Sequence, residues 1–337
     1  MSSNKSLRGA LVVLATALSL AVAGCGGDSS GGSGGSGEDG TEGKVIALVG
    51  YGSSNPWGAV FNDVFKDELA DSGVKINDLT TMDPGEQVQK FNQAVAQKPA
   101  LIVVAILDTA GMVVPIQKAK QAGVPVLAVD GPPDPSVADD VMSVLSDNKA
   151  LGEFAAQNII EGLEGQGRDS GKVIVLTGTK SMLVTQDRMT GFDEVMGDAP
   201  QFEVIEEQDA NWDPKLSGDI AQQLFAKYGC DGIQAAYGMA DYMALPIVQA
   251  AKQAGCAVGG ADGLIVTSSN CFKAGIDAIK AGELYGSATE DPPTIAKQTA
   301  AFVEKFLNGD EPENETVTED RITAETVDQF AEQCSQA

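Results

Sequence analysis

Histidine is absent from the 337-residue sequence. Ser-His-Asp and Cys-His nucleophile systems use an imidazole as their general base, and most zinc sites use one as a ligand. Its absence argues against hydrolases of these kinds. We therefore predict a protein that catalyses no reaction and that holds neither a metal ion nor a cofactor.

Basic residues are also scarce. The chain has 22 Lys and Arg against 48 Asp and Glu, which gives a net charge of -26. A charge of this sign and size repels phosphate backbones and anionic lipid surfaces. The composition therefore excludes nucleic acid as a partner.

The apolar run at the N-terminus is short. Lys5 and Arg8 precede a largely apolar stretch over residues 9–23, whereas a membrane-spanning helix needs ~20 apolar residues. This pattern is typical of a secretory signal peptide. The run ends in Val22-Ala23-Gly24-Cys25, which resembles the lipobox of bacterial lipoproteins, in which small residues admit the signal peptidase and the cysteine accepts a lipid.

We therefore predict that residues 1–24 are a lipoprotein signal peptide and that Cys25 is the lipidation site. A diacylglycerol supplies two acyl chains, and two hydrophobic anchors are what stable membrane attachment requires. The mature protein is expected outside the cytoplasm, lipid-anchored to the bacterial cell membrane. The alternative is an ordinary cysteine behind a simple signal peptide.

Residues 25–43 are almost wholly Gly and Ser with a few acids. Such a segment has little apolar surface to bury and is expected to behave as a flexible linker. Gly31, Ser33 and Gly35 satisfy the G-x-S-x-G pattern of hydrolases, but that motif needs a strand before it and a helix after it. We interpret the match as chance.

From residue 44 onward, short β-branched runs alternate with amphipathic helical segments, and the pattern restarts near residue 172. This alternation predicts two doubly wound, parallel α/β units in series. The predicted strands are residues 44–50, 74–80, 100–106, 124–129, 141–145, 172–177, 202–208, 232–237, 256–261, 284–289 and 316–322. Further helices are predicted over residues 293–308 and 324–333.

Ligands of open α/β sheets bind beyond the carboxyl ends of the strands. The first unit has Asn55, Trp57 and Asp130 at such positions. The second unit offers a larger set of polar and aromatic residues there: Trp212, Tyr237, Asp241, Asp262 and Glu290. The chain has only two tryptophans, and each unit contributes one. Together with Arg188, these nine residues are the predicted ligand-binding residues.

Several local patterns follow one another along residues 44–330. They are Lys44-Val-Ile-Ala-Leu-Val with Asn55-Pro56-Trp57, Val124-Pro-Val-Leu-Ala-Val-Asp130, Arg188 with Gly191 and Phe192, Trp212, and Gly260-Ala-Asp262-Gly. Together they resemble the type I periplasmic binding proteins, and among these the ribose-binding-protein-like sugar binders. The resemblance implies a solute-binding lipoprotein that captures a small sugar or polyol and delivers it to the permease of an ABC transporter.

The sequence departs from the ribose binders at several positions. Ala240 stands where they carry an asparagine, Gly58 replaces a second aromatic residue, Glu290 replaces a glutamine, and extra residues follow Asp262. These differences lie among the residues that would contact the ligand. We therefore expect a ligand other than ribose.

The resemblance also implies a monomer of two lobes that close on a hinge near Ser146, Glu290 and Val317. The N-terminal lobe would comprise residues 44–145 and 291–316, and the C-terminal lobe residues 146–290 and 317–337. Carboxylates, Asn and Arg would bond the vicinal hydroxyls of a sugar, while aromatic rings would cover its C–H faces.

Five of the candidates also have a structural interpretation. Asn55 before Pro56 is a good helix N-cap, whether or not it contacts a ligand. Asp241 would cap its own helix. Trp57 and Trp212 would pack beneath loops, and Arg188 would be a solvated surface residue.

Three other classes of protein merit comparison. A dinucleotide-dependent oxidoreductase needs G-x-G-x-x-G after the first strand, whereas Asn55 occupies the last position after Gly50 and Gly52. A lactose-repressor-type regulator needs an N-terminal DNA-binding module, whose place is taken by the lipobox. A sensor lipoprotein, or a binder of amino sugars, amino acids, nucleosides or a signalling molecule, remains an alternative with the same fold.

Four cysteines remain after Cys25, and four cysteines allow three pairings. An exported protein favours bridges over buried free thiols. In the strand order expected of this fold, Cys230 and Cys256 lie at the starting ends of neighbouring strands. We therefore predict a Cys230–Cys256 bridge, which leaves Cys271 to pair with Cys334.

Overall fold

The computed structural model of the protein describes residues 40–337, so the predicted signal peptide, Cys25 and most of the linker lie outside the described residues. The strands are β1 (Val45–Val49), β2 (Lys75–Asp78), β3 (Leu101–Val104), β4 (Val126–Asp130), β5 (Met142–Ser146), β6 (Gly171–Thr177), β7 (Phe202–Asp209), β8 (Ala235–Gly238), β9 (Ile265–Thr267), β10 (Gly286–Ala288), β11 (Glu315–Val317) and β12 (Arg321–Thr323). The helices are α1 (Pro56–Glu68), α2 (Pro84–Gln97), α3 (Thr109–Ala122), α4 (Asn148–Gly165), α5 (Leu183–Gly197), α6 (Pro214–Tyr228), α7 (Asp241–Gln253), α8 (Lys273–Lys280), α9 (Pro292–Leu307) and α10 (Val327–Phe330).

The strands form two six-stranded sheets. The first has the order β2-β1-β3-β4-β5-β11 and is parallel throughout, and the second has the order β7-β6-β8-β9-β10-β12, in which only β12 is antiparallel to its neighbour. The predicted fold class is confirmed. We call the first sheet with α1, α2, α3 and α9 the first lobe, and the second sheet with α4 to α8 and α10 the second lobe.

The central strands of the first sheet are continuous apolar runs. Strands β3 and β4 are buried along their whole length, and β1 is buried after Val45. A parallel sheet covered by helices on both faces needs strands of this composition. Polar side chains that follow such strands therefore lie at the edge of a rigid layer.

Four helices begin with the same device, an Asn or Asp N-cap followed by proline. The pairs are Asn55-Pro56, Asp83-Pro84, Asp213-Pro214 and Asp291-Pro292, and each cap side chain accepts a backbone hydrogen bond from the first turn. Proline has the φ that the first helical residue needs and lacks only an N–H that the helix does not use. Each helix start is thus fixed a few residues from a strand end or a crossing between the lobes.

The chain crosses three times between the lobes. It passes from β5 to α4 at residues 146–148, from β10 to α9 at residues 288–292, and from β11 to β12 at residues 317–321. Helix α9 returns to pack on α1 and on β5 of the first lobe. Both lobes therefore contain segments that are distant in sequence.

Three predicted elements differ from the structure. The strand predicted at residues 256–261 is wrong, because Gly259 N donates to Leu264 O and Gly263 N donates to Gly259 O, which closes a turn there, and β9 follows it. Gly259 and Gly260 adopt φ of 65° and 66°, a backbone conformation that favours glycine. The strand predicted at residues 316–322 is two strands in different sheets, and the last predicted helix is the short α10 followed by a 3-10 turn.

Two disulfides staple the second lobe. Cys230 is bonded to Cys256 with Cα atoms 5.2 Å apart, and Cys271 to Cys334 with Cα atoms 4.8 Å apart. This is the predicted pairing. It holds even though Cys256 precedes a glycine turn rather than a strand, because that turn leads directly into β9, the neighbour of β8.

Within residues 40–337, no helix is long and apolar enough to cross a membrane. The same residues contain no group of three or more Cys, Asp or Glu side chains that is suited to a metal ion.

Candidate functional site

A cavity lies between the carboxyl ends of the two sheets. Both lobes contribute to its walls, which combine aromatic, charged and sulfur-containing side chains. Its lining residues are Tyr51, Asn55, Trp57, Met82, Asp130, Met182, Val184, Arg188, Trp212, Tyr242, Asn270 and Glu290. Six of the nine predicted ligand-binding residues are among them.

The start of α1 forms one wall. The Asn55 side chain caps the helix by accepting a hydrogen bond from Gly58 N at 2.9 Å, and its amide donates to Tyr242 Oη of the second lobe at 3.3 Å. Asn55 therefore both caps α1 and faces the cavity. Trp57 stacks on Phe61 with ring centroids 5.0 Å apart and meets Tyr51 edge-on, so its indole is held rigidly.

Asp130 ends β4 with its carboxylate in the cavity. Its φ of 65° turns the chain sharply at this point. The carboxylate accepts hydrogen bonds from Tyr51 Oη at 3.1 Å and Ser146 Oγ at 3.2 Å. Burial raises the pKa of Asp130, while the nearby Arg188 lowers it. The side chain is thus an acceptor held in place by two hydroxyl groups.

Arg188 projects from α5 and is 2% exposed. Its Nε donates to Asn148 Oδ1 at 2.8 Å and its Nη1 to the carbonyl of Met239 at 2.8 Å. Nη2 lies 3.6 Å from Glu290 Oε2, and the guanidinium carbon lies 5.2 Å from the centre of the Trp212 ring. These partners offset the cost of burying the charge.

Trp212 reaches the cavity through an unusual backbone. Asn211 and Trp212 have φ of 53° and 56°, which costs a non-glycine residue about 1–2 kcal/mol. The indole Nε1 faces Met182 Sδ at 3.2 Å. Gly178 makes the position possible, since a Cβ there would lie 1.8 Å from the Trp212 ring.

Glu290 lies in the second crossing and is completely buried. Its Oε1 accepts a hydrogen bond from Trp57 Nε1 at 2.6 Å, and its Oε2 accepts one from the amide of Asn270. Burial and the charge of Asp130 raise the pKa of Glu290 well above its ordinary value. The residue therefore joins the first lobe to the second.

A second set of contacts closes the rim of the cavity. Thr109 N donates to Ser181 O at 3.3 Å, Ser181 Oγ donates to Leu107 O at 3.3 Å, and Leu183 N donates to Thr109 Oγ1 at 3.2 Å. Thr109 begins α3 in the first lobe, whereas Leu183 begins α5 in the second. The lobes are therefore held together by direct bonds at the rim as well as at depth.

Within residues 40–337, three of the predicted ligand-binding residues do not line this cavity. Tyr237 is buried beneath it, where it stacks on Phe192 and shares a hydrogen bond with Ser269. Asp241 accepts hydrogen bonds from Ser268 Oγ and Phe272 N, so it neither faces the cavity nor caps its own helix.

Asp262 is the clearest correction. It is exposed beside the Cys230–Cys256 bridge, in the turn before β9 rather than after a strand. Its place in the cavity is taken by Asn270, which follows the true end of β9. The β-branched run that ends at Thr267, followed by Ser-Ser-Asn, is the sequence signal that would have located it.

Several lining residues were not predicted. Tyr51 and Met82 lie in loops of the first lobe, and Met182, Val184 and Tyr242 lie at the starts of α5 and α7. Asn148 was also missed, although it orients Arg188 and donates to the carbonyl of Asp130 at 3.2 Å. The sequence around these residues has no distinctive pattern. Their position at the cavity therefore depends on the fold.

A further buried acid lies in the third crossing. Glu319 is 5% exposed, accepts a hydrogen bond from Thr289 Oγ1 at 3.1 Å, and its Oε1 has no hydrogen-bond partner among residues 40–337. Burial raises the pKa of Glu319 to about 8, with Asp291 and Asp130 adding to the effect and Arg188 opposing it. Its carboxyl is therefore protonated in the folded protein at neutral pH.

Two mostly parallel α/β sheets joined by three crossings, with a polar and aromatic cavity between them, define a two-lobed solute-binding protein. The model of the periplasmic binding protein domain family matches residues 46–311. The chain belongs to this family, in its type I form.

Similar proteins of this family share about a quarter of the sequence. The chain is 25% identical to the fructose import binding protein of Bifidobacterium longum, over 90% of each chain. It is 24% identical to the ribose import binding protein of Haemophilus influenzae, over 83% of this chain and 91% of that protein. The similarity therefore extends over most of this chain and most of each relative.

Solved structures show the same fold. A galactofuranose binding protein superposes with a TM-score of 0.78 at 22% identity, over 86% of this chain and 98% of that one. The myo-inositol binding protein of Caulobacter also gives 0.78, at 19% identity, over 88% and 97%. At these identities the similarity establishes the fold.

We expect Gly178→Ala to displace the Trp212 ring, because the added Cβ would overlap it. Overpacking of this kind typically costs about 1–3 kcal/mol. The variant should have altered tryptophan emission and a lower free energy of unfolding, measured by fluorescence-monitored urea unfolding. Gly197→Ala is the matched control, since its Cβ would lie in open space among the described residues. An unchanged emission spectrum for Gly178→Ala would show that Trp212 is not held against Gly178.

We expect Glu319→Gln to flatten the pH dependence of stability. The pKa of Glu319 is raised from 4.5 to about 8, so the wild-type fold loses stability as pH rises between these values. At pH 7 the loss is of the order of 3 kcal/mol, and the uncharged amide removes it. Unfolding in urea at pH 5 and pH 8 measures the effect. The exposed Glu325 provides the control: if Glu325→Gln changes the slope as much as Glu319→Gln does, the assignment to Glu319 is incorrect.

Proposed function

We propose that the protein is the extracytoplasmic substrate-binding lipoprotein of an ABC importer, and that it captures a small neutral sugar or polyol between its lobes. The observation that carries the proposal is the composition of the cavity. Trp57 and Trp212 enter from different lobes, and the carboxylate of Asp130 points into the space with them. Rings that cover C–H faces and a carboxylate that accepts hydroxyl groups suit a carbohydrate.

The bonding of Arg188 favours a neutral ligand over an anionic one. Its Nε and Nη1 donate to Asn148 and Met239, and its Nη2 faces Glu290. All three of its side-chain nitrogens are therefore directed at protein acceptors, which leaves few N–H groups for a carboxylate or phosphate. The carboxylate of Asp130 would also repel such a group. A sugar acid or a sugar phosphate should therefore bind poorly, whereas an amino sugar is the main competing ligand.

The three crossings support a mechanism in which the lobes open and close. Binding proteins of this kind bend at a few residues in such connections. Closing would place Trp57 and Asn55 against the second lobe and exclude water from the ligand. The closed form would then present both lobes to a permease, as the import function of the fructose and ribose binding relatives suggests. No chemical change of the ligand is part of this role.

The N-terminal sequence supports attachment to the membrane. Cys25 follows three small residues and an apolar run, and residues 26–39 give the folded part a Gly-rich and Ser-rich tether. Two acyl chains would hold the protein stably at the outer face of the cytoplasmic membrane. A tethered binding protein stays near its permease, which raises its effective concentration there.

We expect a neutral carbohydrate to raise the melting temperature and change tryptophan fluorescence. The panel comprises D-fructose, D-ribose, D-allose and myo-inositol, with glucosamine, glucuronate, amino acids and nucleosides for comparison. A ligand at 100 times its dissociation constant adds ~2.7 kcal/mol to stability. Asp130→Ala should weaken binding by about 1–3 kcal/mol, because ligand hydroxyl groups lose their acceptor. Asp139→Ala, at an exposed position, is the control. A response to amino acids or nucleosides without one to carbohydrates would contradict the proposal.

We expect Cys25→Ser to release the protein from the membrane, because serine lacks the thiol that accepts the lipid. Fractionation of expressing cells measures the distribution, and a globomycin-type block of lipoprotein processing gives an independent check. Ser30→Ala, which changes a residue of the linker and leaves Cys25 in place, is the matched control and should remain with the membrane. A fully processed Cys25→Ser variant that still sediments with membranes would rule out the lipid anchor.

A further inference from the structure

Glu290 differs from the other polar residues of the cavity in how its oxygens are used. Oε1 accepts the Trp57 indole N–H at 2.6 Å, while Oε2 accepts the Asn270 amide and lies 3.6 Å from Arg188 Nη2. The residue is completely buried. A carboxylate has about four acceptor positions, and protein donors already occupy or face three of them.

Asp130 shows the contrast. Within residues 40–337, its carboxylate is bonded only by the hydroxyl groups of Tyr51 and Ser146, at 3.1 and 3.2 Å. Hydroxyl groups can rotate and also accept hydrogen bonds, so they yield readily to a ligand. The donors of Glu290 are an indole, an amide and a guanidinium, none of which can turn into an acceptor at that nitrogen. Of the two acids, Asp130 is the one available to a ligand.

The partners of Glu290 come from both lobes. Trp57 lies on α1 of the first lobe, while Asn270 follows β9 and Arg188 lies on α5 of the second. Glu290 itself lies in the crossing between β10 and α9. Opening the cleft would separate Trp57 from the second lobe, so the bond between Trp57 and Glu290 belongs to the closed form.

We infer that Glu290 is a positioning residue that latches the closed cleft by holding the indole of Trp57, and that it does not itself accept a hydroxyl group of the ligand. This inference rests on the proposed binding function and assigns different roles to the two acids of the cavity. Asp130 recognises the ligand, whereas Glu290 fixes the ring that covers it. A latch of this kind slows opening for every ligand alike.

The electrostatics agree with this role. Burial and Asp130 raise the pKa of Glu290 well above its ordinary value, although Arg188 lowers it. A protonated carboxyl still accepts a hydrogen bond through its carbonyl oxygen. Glutamine supplies the same acceptor without charge. Glu290→Gln should therefore preserve most of the latch, while Glu290→Met, which is similar in size and lacks an acceptor of comparable strength, should abolish it.

The first test compares affinities and dissociation rates for D-fructose, D-ribose, D-allose and myo-inositol. We expect Glu290→Met to weaken all members that bind by the same factor, roughly 10- to 100-fold, through faster dissociation. Glu290→Gln should stay within a few-fold of wild type. Trp57→Phe removes the indole N–H together with part of the covering ring, so it should cost less in the Glu290→Met background than in the wild type. A change in the ranking of ligands with Glu290→Met, or full additivity with Trp57→Phe, would overturn the inference.

The second test needs no ligand. The chain has only two tryptophans, so Trp212→Phe leaves Trp57 as the single indole whose hydrogen exchange is followed by NMR. In that background we expect exchange of the Trp57 N–H to be faster with Glu290→Met than with Glu290 or Glu290→Gln. Equal exchange in all three would overturn the latch. If wild type binds no carbohydrate, the proposed function fails, and this second test still decides the role of Glu290.

Discussion

A guanidinium group buried between two lobes requires partners, because an unpaired buried charge costs several kcal/mol. Arg188 finds them at three separate places in the chain. Asn148 begins α4 immediately after the first crossing, Met239 follows β8, and Glu290 lies in the second crossing. Satisfying one charge therefore brings two of the three crossings and the end of a central strand together. The cavity is arranged around this group, although Arg188 itself has few donors to spare.

The buried acids follow from the same constraint. Asp130, Glu290 and Glu319 influence one another electrostatically, and each is also affected by the cation Arg188. Like charges in a region that excludes water cannot all remain ionised. The pKa values of all three acids are accordingly raised. The acidic character of the whole chain thus continues into its interior.

The sequence was sufficient for the architecture because each strand of the central sheets is a compact apolar run bounded by turn residues. It was also sufficient to place at the cavity those residues that directly follow a strand or lie at the start of a helix, such as Asn55, Trp57 and Asp130. Prediction failed at Asp262, because two glycines form a turn where a strand was expected and shift the true strand end to Asn270. Tyr242 and Asn148 were missed because their roles depend on the opposite lobe, which no local pattern encodes.

The hydrogen bonds of Glu290 show the same limit of prediction from sequence. The residue was correctly placed at the cavity from its position after β10. Its partners were not foreseeable, since Trp57 precedes it by 233 positions in the chain. Local patterns indicate where a side chain lies. The donors around it, which decide whether it is free for a ligand, depend on how distant segments come together.

The three crossings also determine when the protein can finish folding. Strand β5 of the first lobe pairs with β11, and α1 packs against α9, so residues 45–146 remain incomplete until residues 292–317 are available. The second lobe in turn needs β12 and the cysteine at position 334. Neither lobe can mature while the C-terminal part of the chain is still missing. This arrangement delays compact folding until synthesis of the C-terminal segments is complete. A chain that remains unfolded for that time is well suited to passage through a membrane in an unfolded state.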